Sequence, residues 1–173
     1  MRVPAFLCQV GVLLGLLVAG GIGQAHSQPL PAPEGPVLLK VSGNIQNTNV
    51  DAQLLLDRAM LDDLESRALV TDTPWHSQAS RFEGPLLRSV LESAGVTADS
   101  IRVHALNGFV ADIPVSDAYR YDVILAMKQD GEAMSVRNFG PLFVLYPFDD
   151  HPELLNESVQ FRSVWQVDAI EVP

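Results

Sequence analysis

The stretch FEGPLLRSVLESAG, residues 82–95, contains the clearest local pattern of the chain. Its apolar residues recur at the spacing of one helical face, and they are Leu86, Leu87, Val90, Leu91 and Ala94. Gly84 and Pro85 stand where helices commonly begin, and Gly95 stands where they commonly end. The pattern therefore predicts a helix that opens at Gly84-Pro85, stops at Gly95 and packs one face on a core.

On the N-terminal side of this helix, strand signals alternate with turns. Residues 37–41 and 52–56 are short apolar stretches, which predict two strands. Asp57 follows the second stretch and predicts the N-cap of a short helix at residues 58–65. Residues 71–78 are mostly polar and predict a loop.

On the C-terminal side the chain is mainly strand-like. Strand candidates come in pairs around turns. The first pair, residues 101–106 and 109–113, flanks Asn107-Gly108. The second pair, residues 123–127 and 133–136, flanks Gln129-Asp130-Gly131. Residues 141–146 are almost wholly apolar and predict a buried central strand. Residues 160–172 alternate and predict a long or bulged closing strand. The element order predicts an α+β fold, mostly β, with a mixed or antiparallel sheet and two short early helices.

The N-terminus has the layout of a cleavable secretory signal. Arg2 precedes an uncharged stretch at residues 10–23, and small residues follow at Ala25 and Ser27. A permanent membrane anchor needs about 20 apolar residues, which this shorter, glycine-containing stretch lacks. We therefore expect a signal peptide at residues 1–25, a proline-rich linker at 26–36, a domain at 37–173, and export of the mature chain. The mature protein is not expected to insert in the membrane.

Composition narrows the classes of function. The sequence has 11 Lys and Arg against 21 Asp and Glu, a formal net charge of −10, so nucleic-acid binding is not expected. Its single cysteine, Cys8, lies in the predicted signal peptide and would be removed with it. The four histidines are scattered, and no metal or nucleophile motif is present. We therefore expect no metal site and no catalytic residue.

Aromatic and polar residues cluster in the predicted loops and at strand ends. Trp75 lies in a Pro-Trp-His loop, Arg137 precedes the apolar strand at residues 141–146, and Trp165 lies in a polar stretch after it. A flat, polar heterocycle requires an aromatic surface on which to stack and polar groups that bind its edge. The alternative is that both tryptophans belong to the core.

Taken in order, a set of short motifs resembles the molybdopterin-binding domain of the sulfite oxidase family across nearly all of residues 37–172. The motifs are Phe82-Glu83-Gly84-Pro85-Leu86-Leu87, Val90-Leu91, Ala94-Gly95, Val103, Asn107-Gly108-Phe109, Ile113-Pro114, Leu125-Ala126, Gly131, Gly140-Pro141-Leu142 and Ile170-Glu171-Val172. The resemblance implies the sulfite oxidase fold, a mostly β domain whose loops enclose a pterin cofactor.

The chain departs from that family at its metal ligand. The family's enzymes hold molybdenum through the pterin and one protein cysteine, which should fall in the loop at residues 70–77, where this chain has none. Molybdenum in this setting requires a soft thiolate, which serine and threonine do not replace. The chain also has few basic side chains to hold the phosphate tail of a molybdopterin. Molybdenum is therefore not expected.

Residues 140–150 and 163–167 are similar to small periplasmic proteins that bind reduced pterins without metal. That resemblance implies a ligand sensor, not an enzyme, which regulates a membrane cyclic-di-GMP synthase/phosphodiesterase through its periplasmic portion. Two alternatives remain open at this point. One is a molybdopterin-dependent oxidoreductase without the cysteine, and the other is a ligand-free protein-interaction domain of the same fold.

Under the sensor hypothesis, the resemblance assigns roles to particular residues. Trp165 or Trp75 would stack on the pterin ring. Asp149 or Asp150 would accept hydrogen bonds from its amino-pyrimidine edge.

Three further residues complete the candidate pterin site. Arg137 and Asn107 would reach the pyrimidine carbonyl or the side-chain hydroxyls. Arg137 has an alternative role, an ion pair with an acidic neighbour. Tyr146, at the end of the apolar strand, either contacts the ligand or fills the core.

Overall fold

The computed structural model describes residues 30–173. The predicted signal peptide and the first part of the predicted linker, residues 26–29, lie outside the described residues. The strands are β1 (Val37–Gly43), β2 (Leu54–Asp57), β3 (Ser66–Thr71), β4 (Ser80–Pro85), β5 (Ser100–Ala105), β6 (Val110–Pro114), β7 (Ile124–Ala126), β8 (Lys128–Gln129), β9 (Glu132–Ala133), β10 (Phe143–Leu145) and β11 (Val167–Val172). The helices are α1 (Arg58–Asp62), α2 (Leu87–Ser93), α3 (Val115–Arg120) and α4 (Glu157–Arg162), with short 3₁₀ turns at Val136–Asn138 and Pro152–Leu154.

The strands of this domain form three sheets. The largest has five strands in the order β2-β1-β11-β5-β6, and a second has four in the order β3-β4-β8-β9. Strands β7 and β10 form a two-stranded sheet. Strand β1 is parallel to β11, whereas the other pairs are antiparallel. The predicted α+β class, mostly β with a mixed sheet and short helices, is confirmed.

Helix α2 is the helix predicted from residues 82–95. Leu87, Val90 and Leu91 are buried on one face, and Gly95 follows the helix with a φ of 67°. The helix begins later than predicted because β4 continues through Pro85. Gly84 is required there for packing, since a Cβ atom at this position would collide with the backbone carbonyl of Leu125 in β7.

The predicted turns and cap have the expected local chemistry. Asp57 caps α1, its side chain accepting a hydrogen bond from the Met60 N–H at 3.0 Å. Gly108, with a φ of 84°, lies in the turn between β5 and β6. The predicted β5–β6 hairpin is thus confirmed, as is the cap of α1.

Several elements differ from the prediction. Strands β3 and β4 and helix α3 were not predicted. The apolar stretch at residues 141–146 contains β10, which pairs with β7 and forms one isolated bridge between Phe143 and Trp165, so it is not the centre of a larger sheet. Residues 160–172 are not one strand, because Asn156 caps helix α4 by accepting from the Val159 N–H, and β11 starts only at Val167.

One hydrophobic core joins the three sheets. Leu39 from the five-stranded sheet, Phe82 from the four-stranded sheet and Phe143 from the two-stranded sheet are all fully buried in it. Within residues 30–173, no helix has the length and apolar character needed to cross a bilayer.

Candidate functional site

A cavity of about 250 Å³ lies where four segments of the chain meet. Its walls are formed by loop 72–79, the tip of the β5–β6 hairpin, helix α4 and the segment between α4 and β11. Its lining residues are Trp75, Asn107, Phe109, Gln160, Phe161, Ser163, Val164 and Trp165. The structure therefore brings together three of the predicted site residues, Trp75, Asn107 and Trp165.

The two tryptophans belong to an aromatic cluster that connects the cavity to the core. The ring centroids of Trp75 and Trp165 are 5.5 Å apart, with the planes inclined at 65°. Trp75 also packs edge to face on Phe143 at 5.6 Å, and Phe139 packs on Trp165 at 5.5 Å. Both tryptophans remain partly exposed, so each combines core packing with a surface in the cavity.

Two phenylalanines line the cavity from the solvent side. Phe109 from the hairpin and Phe161 from α4 pack edge to face at 4.9 Å. Phe109 is 37% exposed and Phe161 58% exposed. An aromatic pair with this exposure is unusual in a domain that keeps its other phenylalanines largely inside.

The cavity also has uncommitted polar groups. Asn107 uses its Oδ1 to accept from the Phe109 N–H at 2.9 Å, and Ser163 donates its hydroxyl to the Val159 carbonyl at 2.9 Å. Within residues 30–173, no protein partner binds the Gln160 amide, the Asn107 Nδ2 or either indole N–H. Neither indole nitrogen is an atom that is both buried and unpaired. Both are therefore available to water or a ligand.

Loop 72–79 is held by a hydrogen-bonded turn around Thr73. The buried Thr73 hydroxyl lies 2.6 Å from Nδ1 of His76 and 3.3 Å from the Trp75 N–H, from which it accepts. Burial lowers the pKa of His76, opposed by the charge of Asp130. Burial therefore favours the neutral form of His76, and the turn fixes Trp75 against the cavity.

The predicted aspartates lie outside this cavity. The Asp149 carboxylate accepts from the Asp72 N–H at 3.2 Å, and Asp150 forms a 2.8 Å ion pair with Arg67. Both carboxylates are thus engaged near strand β3, on a different group of residues from those lining the cavity. They are not among the residues that line the cavity with Trp75 and Trp165.

Tyr146 and Arg137 also lie elsewhere. Tyr146 is fully buried, and its hydroxyl donates to Asp117 at 2.9 Å. Burial, followed by the charge of Asp117, raises the pKa of Tyr146 well above its ordinary value. Tyr146 therefore fills the core, as the alternative interpretation held. Arg137 is exposed in a 3₁₀ turn and forms no ion pair within residues 30–173.

The residues around the cavity do not fit a molybdenum centre held by a protein thiolate. The described residues contain no cysteine and no cluster of His, Asp and Glu suited to a metal ion. Among residues 30–173, no charged side chain lines the cavity, so these residues offer no partner for a phosphate tail. Several arginines are instead neutralised by carboxylates, as in the Arg88–Asp122 and Arg162–Asp117 pairs.

Sequence reasoning did not identify Gln160, Ser163, Phe109 or Phe161 as lining residues. Gln160 and Phe161 were assigned to a strand, so their common position on α4 was missed. Asn156 and Glu157, a preferred cap and an acidic first-turn residue, were the available signal of that helix.

Comparison with known proteins agrees with this architecture. Residues 40–148 match the family model described as the oxidoreductase molybdopterin binding domain. The structure resembles the crystal structure of the sulfane dehydrogenase SoxCD from Paracoccus pantotrophus, with a TM-score of 0.56 and 16% identity over 78% of this chain. It spans only 37% of that chain, so the likeness concerns the fold alone. No curated protein sequence matches. Because the family model covers more than half of the sequence, the chain belongs to the oxidoreductase molybdopterin-binding domain family and has its sulfite oxidase-type fold.

Proposed function

We propose that this domain binds a metal-free reduced pterin in the aromatic cavity. The observation that carries the proposal is the meeting of Trp75, Asn107 and Trp165, from three separate segments, in one cavity. These residue types provide an aromatic surface and hydrogen-bonding groups for a flat, polar ring.

The size of the cavity supports a small ligand. Its volume of about 250 Å³ is close to the lower limit of small-molecule pockets, which span roughly 300–1,000 Å³. A bicyclic pterin ring suits such a space better than a molybdopterin with its phosphate or nucleotide tail. The uncharged lining agrees with this preference.

The orientation of the tryptophans suggests how the ring would bind. Since their planes are inclined at 65°, a ring stacked on one indole meets the edge of the other. This arrangement combines one stacking contact with one edge-to-face contact, both favourable for aromatic rings. Phe109 and Phe161 would cover the ring from the solvent side.

We further propose that the protein is periplasmic, exported by its signal peptide, and acts as a ligand sensor. Its partner in this proposal is the periplasmic portion of a membrane cyclic-di-GMP synthase/phosphodiesterase. The support is the resemblance of residues 140–150 and 163–167 to periplasmic pterin-binding proteins. Deleting the gene or supplying a Trp165→Ala copy should change cellular cyclic-di-GMP in the same direction, and unchanged levels would contradict the regulatory role.

The ligand itself can be identified on protein purified from its own host's periplasm. Acid extraction is expected to release fluorescent pterin in proportion to protein, without molybdenum by elemental analysis. Stoichiometric molybdenum with turnover of sulfite or a sulfoxide would instead support the oxidoreductase alternative. Protein without pterin and without metal would support the ligand-free interaction domain.

Replacing the stacking surface should weaken binding. Trp165→Ala is expected to weaken pterin binding about tenfold or more, since stacking of a base on an aromatic side chain contributes about 1–3 kcal/mol. Titration of pterin fluorescence measures the loss. Trp165→Phe keeps an aromatic ring and should retain most of the affinity. Wild-type affinity in Trp165→Ala would remove Trp165 from the site.

A further inference from the structure

We infer that Gln160 and Asn107 determine the specificity of the cavity, for an uncharged heterocycle with an amide-like edge and without phosphate. This inference rests on the proposed pterin function. It identifies the groups that would form hydrogen bonds to the edge of the ring, a role that Asp149 and Asp150 do not fill at this cavity.

Few polar groups in the lining of the cavity are free to form hydrogen bonds to a ligand. Ser163 already donates its hydroxyl to the Val159 carbonyl, and the Asn107 Oδ1 accepts from the Phe109 N–H. Among the lining side chains this leaves the complete amide of Gln160, the Nδ2 of Asn107 and the two indole N–H groups. A carboxamide presents a donor and an acceptor side by side, which matches the adjacent N–H and C=O of a pterin's pyrimidinone ring.

Helix α4 holds Gln160 in a defined position. The N-cap Asn156 accepts from the Val159 N–H at 3.1 Å. At the other end, Arg162 donates to Asp117 at 3.0 Å, and Tyr146 donates to the same carboxylate oxygen at 2.9 Å. Because the C-terminal end of the helix is tied to Asp117 in helix α3, Gln160 is preorganised toward the cavity.

Charge around the cavity disfavours an anionic ligand. In the part of the chain that the structure describes, no Lys or Arg lines the cavity, and the adjacent groove behind Phe161 contains the carboxylates of Asp112 and Glu157. The one arginine of that groove, Arg162, is already paired with Asp117. A phosphate brought to this surface would meet two carboxylates and no free cation among the residues of the groove.

The test compares a reduced pterin that has a hydroxymethyl side chain with the diphosphate ester of the same pterin. The wild-type protein is expected to bind the neutral pterin at least about tenfold more tightly than the ester, measured by fluorescence titration. Gln160→Met removes both hydrogen-bonding groups and should weaken binding of the neutral pterin about tenfold. Gln160→Lys should reduce the preference against the ester.

Ser158→Glu is the matched control, because Ser158 lies on the same helix but does not line the cavity. It should bind the neutral pterin like the wild type. Equal binding of both probes by the wild type, or unchanged binding by Gln160→Met, would overturn the inference and leave the pterin site standing. If the wild type binds neither probe, the proposed function itself fails.

Discussion

The carboxylate of Asp57 joins three parts of the chain. Its Oδ1 accepts from the Met60 N–H at 3.0 Å, which caps α1. Its Oδ2 accepts from the N–H groups of Glu34 and Gly35, at 2.9 and 2.8 Å, and so attaches the segment that precedes β1. These hydrogen bonds, that from Met60 first and that from Gly35 next, hold the pKa of Asp57 below its ordinary value.

A pH-dependent loss of stability follows from this carboxylate. Because its pKa is lowered on folding, its stabilisation is complete above the ordinary carboxyl pKa and is lost as the pH falls through the folded pKa. Asp57→Asn should therefore unfold at lower urea concentration than the wild type at neutral pH. The two proteins should converge only in acid, once the pH has fallen below the lowered folded pKa of Asp57. A difference that is the same at both pH values would contradict this origin.

At the scale of single residues, sequence reasoning identified the aromatic part of the cavity. Trp75 and Trp165 were singled out because a flat, polar heterocycle requires an aromatic surface on which to stack. Asp149 and Asp150 had equally suggestive chemistry, but the path of the chain directs them to Arg67 and the Asp72 N–H. Which neighbours a loop residue meets is decided by tertiary structure, which single-sequence patterns do not encode.

Among the elements, strands β4 and β7 approach unusually closely at Gly84. Gly84→Ala should destabilise the domain by about 3 kcal/mol or more, since the added methyl group would collide with the Leu125 backbone and overpacking cannot relax there. Gly108→Ala is the comparison, because its added methyl group would have no neighbour within 4 Å and only the positive φ opposes it. That variant should lose about 1–2 kcal/mol. Urea unfolding measures both, and equal losses would refute the steric explanation.

Helix α4 depends on the buried carboxylate of Asp117. Arg162→Leu removes one of the two donors to that carboxylate and is expected to cost about 1–3 kcal/mol of unfolding free energy. It should also weaken pterin binding, because α4 carries Gln160. Tyr146→Phe removes the other donor, which lies in the core. It should change pterin binding less than Arg162→Leu does. If Arg162→Leu binds pterin normally, α4 does not depend on this ion pair for its position.

The elements with strong local signals were predictable, whereas those stabilised by distant partners were not. Helix α2 and the β5–β6 hairpin have a clear apolar period, a turn sequence and a terminating glycine. Strand β3 lacked such a signal because only Leu69 and Thr71 are buried in it. Helix α4 was read as a strand because it has only one buried residue, Val159, and exposes Phe161 beside the cavity.

At the scale of the whole molecule, the chain has the family's fold, although residues 30–173 contain no cysteine that could hold the family's metal. The core that defines the fold extends over all three sheets, and Trp75, from the loop in which the family's cysteine is expected, packs against it. Because the chemistry of a protein lies in a site carried by its fold, the chain keeps the family fold although residues 70–77 contain no cysteine. The family fold was predictable from ordered motifs along the sequence, whereas the composition of the cavity required the packed structure.

Strand β11 lies in the middle of the five-stranded sheet, between β1 and β5, although it is the last strand in the chain. The two halves of that sheet therefore have no direct pairing until residues 167–172 are present. A chain shortened after Gln166 should show no cooperative thermal unfolding, whereas removal of the exposed Pro173 alone should preserve it. Cooperative unfolding of the shortened chain would contradict this role.

We expect this topology to delay folding during biosynthesis. While the chain is still emerging from a ribosome or a translocation channel, its main sheet lacks the strand that closes it. A protein exported as we propose would thus stay competent for passage as an extended polypeptide, and would close its main sheet once residues 167–172 have reached the far side of the membrane.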